Sequence, residues 1–393
     1  MRKTVPGIVL VLFIAVSPLV HGSEGDQIFL ERIDIQGNRI TKEAYIRNML
    51  TLREGRPYDI DEVVDEINRS REKLERSGLF TNIFFNDELD ELNNLVLTVQ
   101  LRENNYFHFG PSGYIGYQKG ELYSVLSLYG RYTNLFGNSS FLDLEAPFYR
   151  DYGIIARVSN FAPDSFGYVL GFDARYDHFF DEYVQKAVMG LGYSFGYRFL
   201  LATDVHVNRE SPRNADESTT SIVFFPHLRW GYDRRLHEKQ RSWYSLLIKP
   251  YLGVNVEAET VGDRRTFGGI ESRLSVYRDI VLRMVYSAHL YASYQDGGVP
   301  NEYALHANVR GSNYDAYGGS YFLSLTNGVD FPWPWNSRIH LVPFLDSGII
   351  GDDEATFLIG GGLGLHWYTR YQDPLVFELA YGRGLMLNLT KRF

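Results

Sequence analysis

The chain has no cysteine among its 393 residues. No disulfide can brace it, and cysteine-ligated zinc and thiol nucleophiles are excluded. Beyond its N-terminus it also lacks any apolar run of about 18 residues, the least that a spanning helix needs. It has no surplus of positive charge: 39 Lys and Arg stand against 48 Asp and Glu, a net −9. A nucleic-acid partner would need a basic stripe, so none is expected. Catalytic signatures are missing too, with no Gly-x-Ser-x-Gly elbow and no His-Glu-x-x-His helix. The 10 histidines are scattered; His289, His340 and His366 fall where polar residues point into a barrel. The sequence therefore reads as a non-enzyme with no catalytic residue, no metal and no cofactor.

What is present is aromatic: 29 Tyr and 26 Phe, the raw material for girdles at two membrane interfaces. At the start, Arg2 and Lys3 precede an unbroken apolar run over 8–16, and Val20-His21-Gly22 supplies small residues for cleavage. That pattern predicts a secretory signal peptide over 1–22. The alternative, an uncleaved anchor, is disfavoured because the run is too short to span.

Residues 26–103 read as a small soluble module. They hold 11 basic and 17 acidic residues, a balance of −6 that accounts for most of the acidity. A strand is predicted over 28–35, turned by Gly37-Asn38. A helix follows with Thr41 as N-cap and Ala44, Tyr45, Met49 and Leu52 at helical spacing. A second helix follows Pro57-Tyr58-Asp59, with Ile60, Val63, Val64, Ile67, Arg71 and Leu74 on one side and Gly78 as its stop. Strands over 82–86 and 95–101 close a β-α-α-β-β order. This order, with Gly37, Gly55-x-x-Tyr58-Asp59 and Ser77-Gly78-Leu79-Phe80, resembles a POTRA domain. Such domains are periplasmic, polypeptide-binding modules of outer-membrane assembly factors.

The remaining 290 residues, 104–393, divide into sixteen antiparallel strands at about 18 residues each, which suits spanning strands plus turns. Alternation is clearest at the end. Leu375, Phe377, Leu379 and Tyr381 share one face, with Val376, Glu378 and Ala380 on the other. Leu385, Leu387, Leu389 and the terminal Phe393 point outward. The predicted fold is thus an all-β transmembrane barrel of sixteen strands behind one small α+β domain. If that domain is periplasmic, the long connections 208–217 and 296–318 follow odd strands and face outside, as membrane barrels usually arrange them.

Two constellations stand out. Val309-Arg310-Gly311 lies in the Gly/Tyr/Asn-rich loop 296–318, and Phe344-x-Asp346-x-Gly348 lies on an alternating strand. An inward aspartate needs a cationic partner, and the loop carries one. Gly110, Pro111 and Gly113 meanwhile weaken the first barrel strand where it must pair with the last, near Leu385, Leu387 and Phe393. A weak seam is a strand-adding edge, although a bend that eases closure explains the same glycines.

Together with Asn134-Leu135-Phe136-Gly137, with 360–365 leading to Trp367, and with Phe393, these motifs resemble the surface-antigen barrel of BamA/TamA-type outer-membrane assembly factors. The resemblance covers about residues 27–393. It implies a loop folded into the lumen, with Arg310 held by Asp346 and by a second acid. Gly328 stands where that acid is expected on the twelfth strand, and Asp330, two residues on, takes its place. The resemblance also implies the function: insertion or translocation of other polypeptides in the outer membrane of a Gram-negative cell. The partners implied are unfolded polypeptides, membrane lipids and accessory periplasmic proteins docked on the POTRA domain. Rival readings are a secretion pore for a dedicated partner protein and a passive or lipid-handling channel. Dedicated pores typically carry two POTRA domains, and this chain has room for one.

Overall fold

The computed structural model describes residues 27–393 except 119–120, 161–163, 179–180, 197, 215–217, 232–242, 257–265, 282–283, 298, 300–308, 311, 313–318, 335, 353, 369–373 and 392–393. The signal peptide expected over 1–22 lies outside the described residues, as do Gly311 and Phe393. No described helix is long and apolar enough to cross a membrane.

The N-terminal domain runs β1 (Gln27–Gln36), α1 (Glu43–Met49), β2 (Arg56–Asp59), α2 (Ile60–Arg76), β3 (Phe80–Leu89) and β4 (Leu95–Glu103). Its sheet has the order β2-β1-β4-β3, with β1 parallel to β4. The structure adds β2 to the expected order. Pro57 discourages a strand there, yet β2 is an edge and pairs on one side only, with Pro57 opposite Phe29. The core closes Leu30, Ile33, Ile46, Leu74, Leu97 and Val99 between the sheet and the helices. On α2, Val63 and Leu74 are buried as the spacing predicts, but Ile60 and Val64 are exposed. The apolar stripe is thus narrower than expected.

Sixteen further strands form a closed antiparallel barrel. They are β5 (Phe107–Gln118), β6 (Glu121–Thr133), β7 (Phe141–Tyr149), β8 (Tyr152–Asn160), β9 (Ser165–Asp177), β10 (Glu182–Phe195), β11 (Phe199–Pro212) and β12 (Thr219–Gly231). The circuit continues through β13 (Trp243–Asn255), β14 (Thr266–Asp279), β15 (Val285–Gly297), β16 (Tyr321–Trp333), β17 (Asn336–Gly351), β18 (Ala355–Tyr368), β19 (Pro374–Tyr381) and β20 (Leu385–Lys391). Outward positions carry exposed apolar side chains such as Leu170, Met189, Leu252, Leu345 and Leu363, while the inward neighbours Asp173, Asp346 and Glu378 are buried. Apolar groups outside and polar groups inside invert a soluble protein, as lipid contact requires. The loop after β15 starts later than expected, because Asp296 and Gly297 still belong to the strand. The connection 232–242, on the even side, is longer than every odd-side connection except the loop after β15, so the length asymmetry rests on that loop.

The N-terminal domain docks on the barrel through the turn between β6 and β7. The Lys42 N–H donates to the Gly137 carbonyl at 2.8 Å. Asn134, fully buried at φ 66, donates its side-chain amide to the Thr41 hydroxyl at 2.8 Å. Gly137 has φ 70, and a Cβ there would run into the Ile40 carbonyl. Thr41 is therefore not the N-cap of α1. Lys42 holds that position without a side-chain bond, and the Thr41 hydroxyl meets Tyr106 at 3.0 Å instead. Burial pushes the Tyr106 hydroxyl up to about 12, so it stays protonated.

Glu103 completes the junction by accepting the backbone N–H groups of Thr41 (2.7 Å) and Ile40 (3.1 Å). Burial opposes its charge, but these hydrogen bonds prevail and hold its carboxyl below the ordinary range. A carboxyl depressed on folding stabilises at neutral pH, and the contribution fades as pH falls from the unfolded value through the folded one. Hydrogen-exchange protection of the Ile40 and Thr41 amides, corrected for intrinsic rates, is therefore expected to persist at neutral pH and fall on acidification below the usual glutamate range. Glu103→Ala should remove that protection at every pH. Equal protection in the variant would show that Glu103 does not hold the junction.

Candidate functional site

Strand parity places the loop after β15 at the barrel end opposite the N-terminal domain, and its tip lies inside the barrel. Val309 is fully buried against Phe322, Ile350 and Leu358 on β16, β17 and β18. Two wall glycines permit the approach. A Cβ on Gly348 would lie 2.8 Å from the Val309 side chain, and one on Gly360 would strike the Arg310 carbonyl. Gly348 thus has a reason to be glycine at ordinary backbone angles: room for the loop.

Arg310 reaches two acids. Its Nε and Nη2 donate to the two Asp346 oxygens at 2.7 and 2.8 Å, a fork that matches the carboxylate. Its backbone N–H adds a third bond to Asp346 at 3.2 Å. Its Nη1 donates to Glu378 Oε1 at 2.9 Å. The guanidinium carbon stands 3.5 Å from the ring centroid of Phe344, a close cation–π contact. Asp346 and Glu378 side chains are 0% and 2% exposed. One cation therefore sits between two desolvated carboxylates, and His366 Nε2 stands 3.9 Å from Glu378.

The structure brings together Val309, Arg310, Phe344, Asp346 and Gly348 from the expected set and leaves Asp330 out. Asp330 is bonded to His340 instead. Depth is the reason. Asp346 stands opposite Thr326, so Asp330 lies four residues further along β16, roughly 13 Å closer to the N-terminal domain at strand rise. Arg310 enters from the other end. The second acid is Glu378 on β19, whose inward placement alternation shows but whose partner it does not. Among the described residues, no cluster of three or more His, Asp or Glu converges as a metal site.

The seam is short. β5 and β20 share five described register pairs, from Tyr117 opposite Leu385 to Gly113 opposite Leu389, whereas β5 shares twelve with β6. β7 and β8 also share five, but those strands are joined by the turn at 150–151, while β20 is the last strand and is linked to β5 only through the circuit. Gly110 and Pro111 lie beyond the described pairs, together with Phe107 and Phe109, whose side chains are exposed. Gly113 has φ 152, and a Cβ there would enter the Val125 carbonyl of β6. Its role is a close approach of β5 to β6 at the point where the described seam stops.

The POTRA family, described as a surface antigen variable number repeat, matches residues 28–104. Among solved structures, BamA from Haemophilus ducreyi lacking POTRA domains 1-3 aligns with a TM-score of 0.59 at 12% identity, over 92% of this chain and 83% of that one. CdiB from Acinetobacter baumannii gives 0.63 at 12% identity over 92% and 74%. CdiB from Escherichia coli gives 0.56 at 12% identity over 96% and 93%. No curated protein matches the sequence. One POTRA domain followed by a closed sixteen-stranded barrel defines the class, a POTRA–barrel protein. Residues 28–104 match the POTRA family, and the chain has the fold that BamA and CdiB share.

Proposed function

We propose that this protein sits in a bacterial outer membrane with its POTRA domain in the periplasm, and that it assists other polypeptides into or across that membrane. The observation that carries this reading is the β5–β20 seam: five described pairs, with the start of β5 beyond them bearing exposed Phe107 and Phe109. A seam with few described pairs suits the admission of an incoming strand, and the exposed apolar side chains beside it suit a lipid-facing client. Strand addition needs no cofactor and no catalytic residue. The partners are unfolded polypeptides, the surrounding lipids and accessory periplasmic proteins on the POTRA surface. Residues 1–22 are the export signal removed on the way.

Depleting the protein and cataloguing outer-membrane proteins tests this. Loss of several barrel proteins is the expected result. Loss of one secreted protein would instead indicate a dedicated pore, and an unchanged catalogue would indicate a passive or lipid-handling channel.

A further inference from the structure

The Arg310 site touches the seam strand at two places. Glu378 divides its carboxylate: Oε1 accepts from Arg310 at 2.9 Å, and Oε2 accepts from the Asn388 amide of β20 at 3.3 Å. Phe344, whose ring lies under the guanidinium, packs with Ala380 and with Met386 of β20 in one buried cluster. Met386 and Asn388 lie within the seam register, opposite Gly116 and Tyr114 of β5, and alternate with outward Leu385 and Leu387. Both inward residues of β20 that pair within the seam are thus held against the groups that hold the loop tip.

We infer that the lumen loop props the last strand: with Arg310 seated, β20 is held in register against β5, and its release frees β20 to leave. Glu378 and Asn388 are the positioning residues of this coupling. The inference rests on the reading of the seam as the working edge, and it adds what governs its opening. Geometry favours control from the loop side. β20 shares seven described pairs with β19 but five with β5, so what aligns it on β19, the Asn388 amide donating to Glu378 and the packing of Met386, also sets how it meets β5. A chance cross-strand pair would stiffen β19 against β20 without making β20 sensitive to residue 310.

The test is a double-mutant cycle on purified, lipid-reconstituted full-length protein without client. The chain has no cysteine of its own, so Ile115→Cys with Leu387→Cys, opposite each other in register, report seam closure by their disulfide-formation rate. Arg310→Ala is expected to slow cross-linking about tenfold, the order set by losing a hydrogen bond to a charged group. In an Asn388→Ala, Met386→Ala background the same change should alter the rate by less than about twofold, because the tie is already cut. Asn388→Gln, which keeps an amide donor, should restore the dependence. Folding of each variant is checked by heat-modifiable migration. An equal slowing in both backgrounds, or none in either, would overturn the coupling. Since the readout needs no client, failure here leaves the seam-based function to be judged by activity.

Discussion

Arg310→Ala should cost most of the function while leaving a barrel that still folds, with its seam closing less readily. The change leaves Asp346 and Glu378 buried with no guanidinium, and breaking a buried pair by removing one partner costs about 3–5 kcal/mol. A drop in melting temperature is therefore expected together with the loss of client assembly. Arg310→Lys should fall between the two, since an ammonium keeps the charge but cannot fork onto Asp346 while also reaching Glu378. A simple exchange, Arg310→Asp with Asp346→Arg, should recover little, because the new aspartate would face Glu378.

The more informative variant combines Arg310→Ala with Asp346→Asn and Glu378→Gln. Removing the two buried charges should return most of the melting temperature, since no desolvated anion remains uncompensated. Activity should stay low, because nothing then draws the loop tip to the wall. If activity returned with stability, the site would only stiffen the barrel, and no positioning role for the loop would be needed.

Much of this arrangement is legible in the amino-acid sequence. Alternation over 374–381 and 338–349 shows which side chains point inward, and the sixteen predicted strands match those observed. Arg310 and Asp346 are brought together as the family motifs imply. Glu378 escapes that reading for a physical reason. Its strand pattern says only that it faces the lumen, and its approach to residue 310, 68 positions away, depends on where barrel closure sets β19 against the loop. Asp330 misleads because alternation fixes the face of a residue and not its depth. Thr41 shows the limit of local rules: a residue beside a helix start satisfies the N-cap pattern, but its hydroxyl is taken by Asn134 and Tyr106, more than 60 residues further on. Gly113 likewise reads as a weak point of the seam, whereas its lack of a side chain answers to the β6 backbone, which a Cβ would enter.

The second large effect is at the seam. Cysteines at Ile115 and Leu387 sit directly opposite on β5 and β20, at a separation that adjacent antiparallel strands place near disulfide range. The surrounding chain offers no competing thiol. The decisive measurement is client insertion by this double variant in lipid vesicles, before oxidation, after oxidation and after reduction. Activity is expected to be near that of the parent when reduced, absent when the cross-link is complete, and recovered when a reductant reopens it. Full activity with the seam demonstrably cross-linked would contradict lateral opening and leave the lumen as the only route.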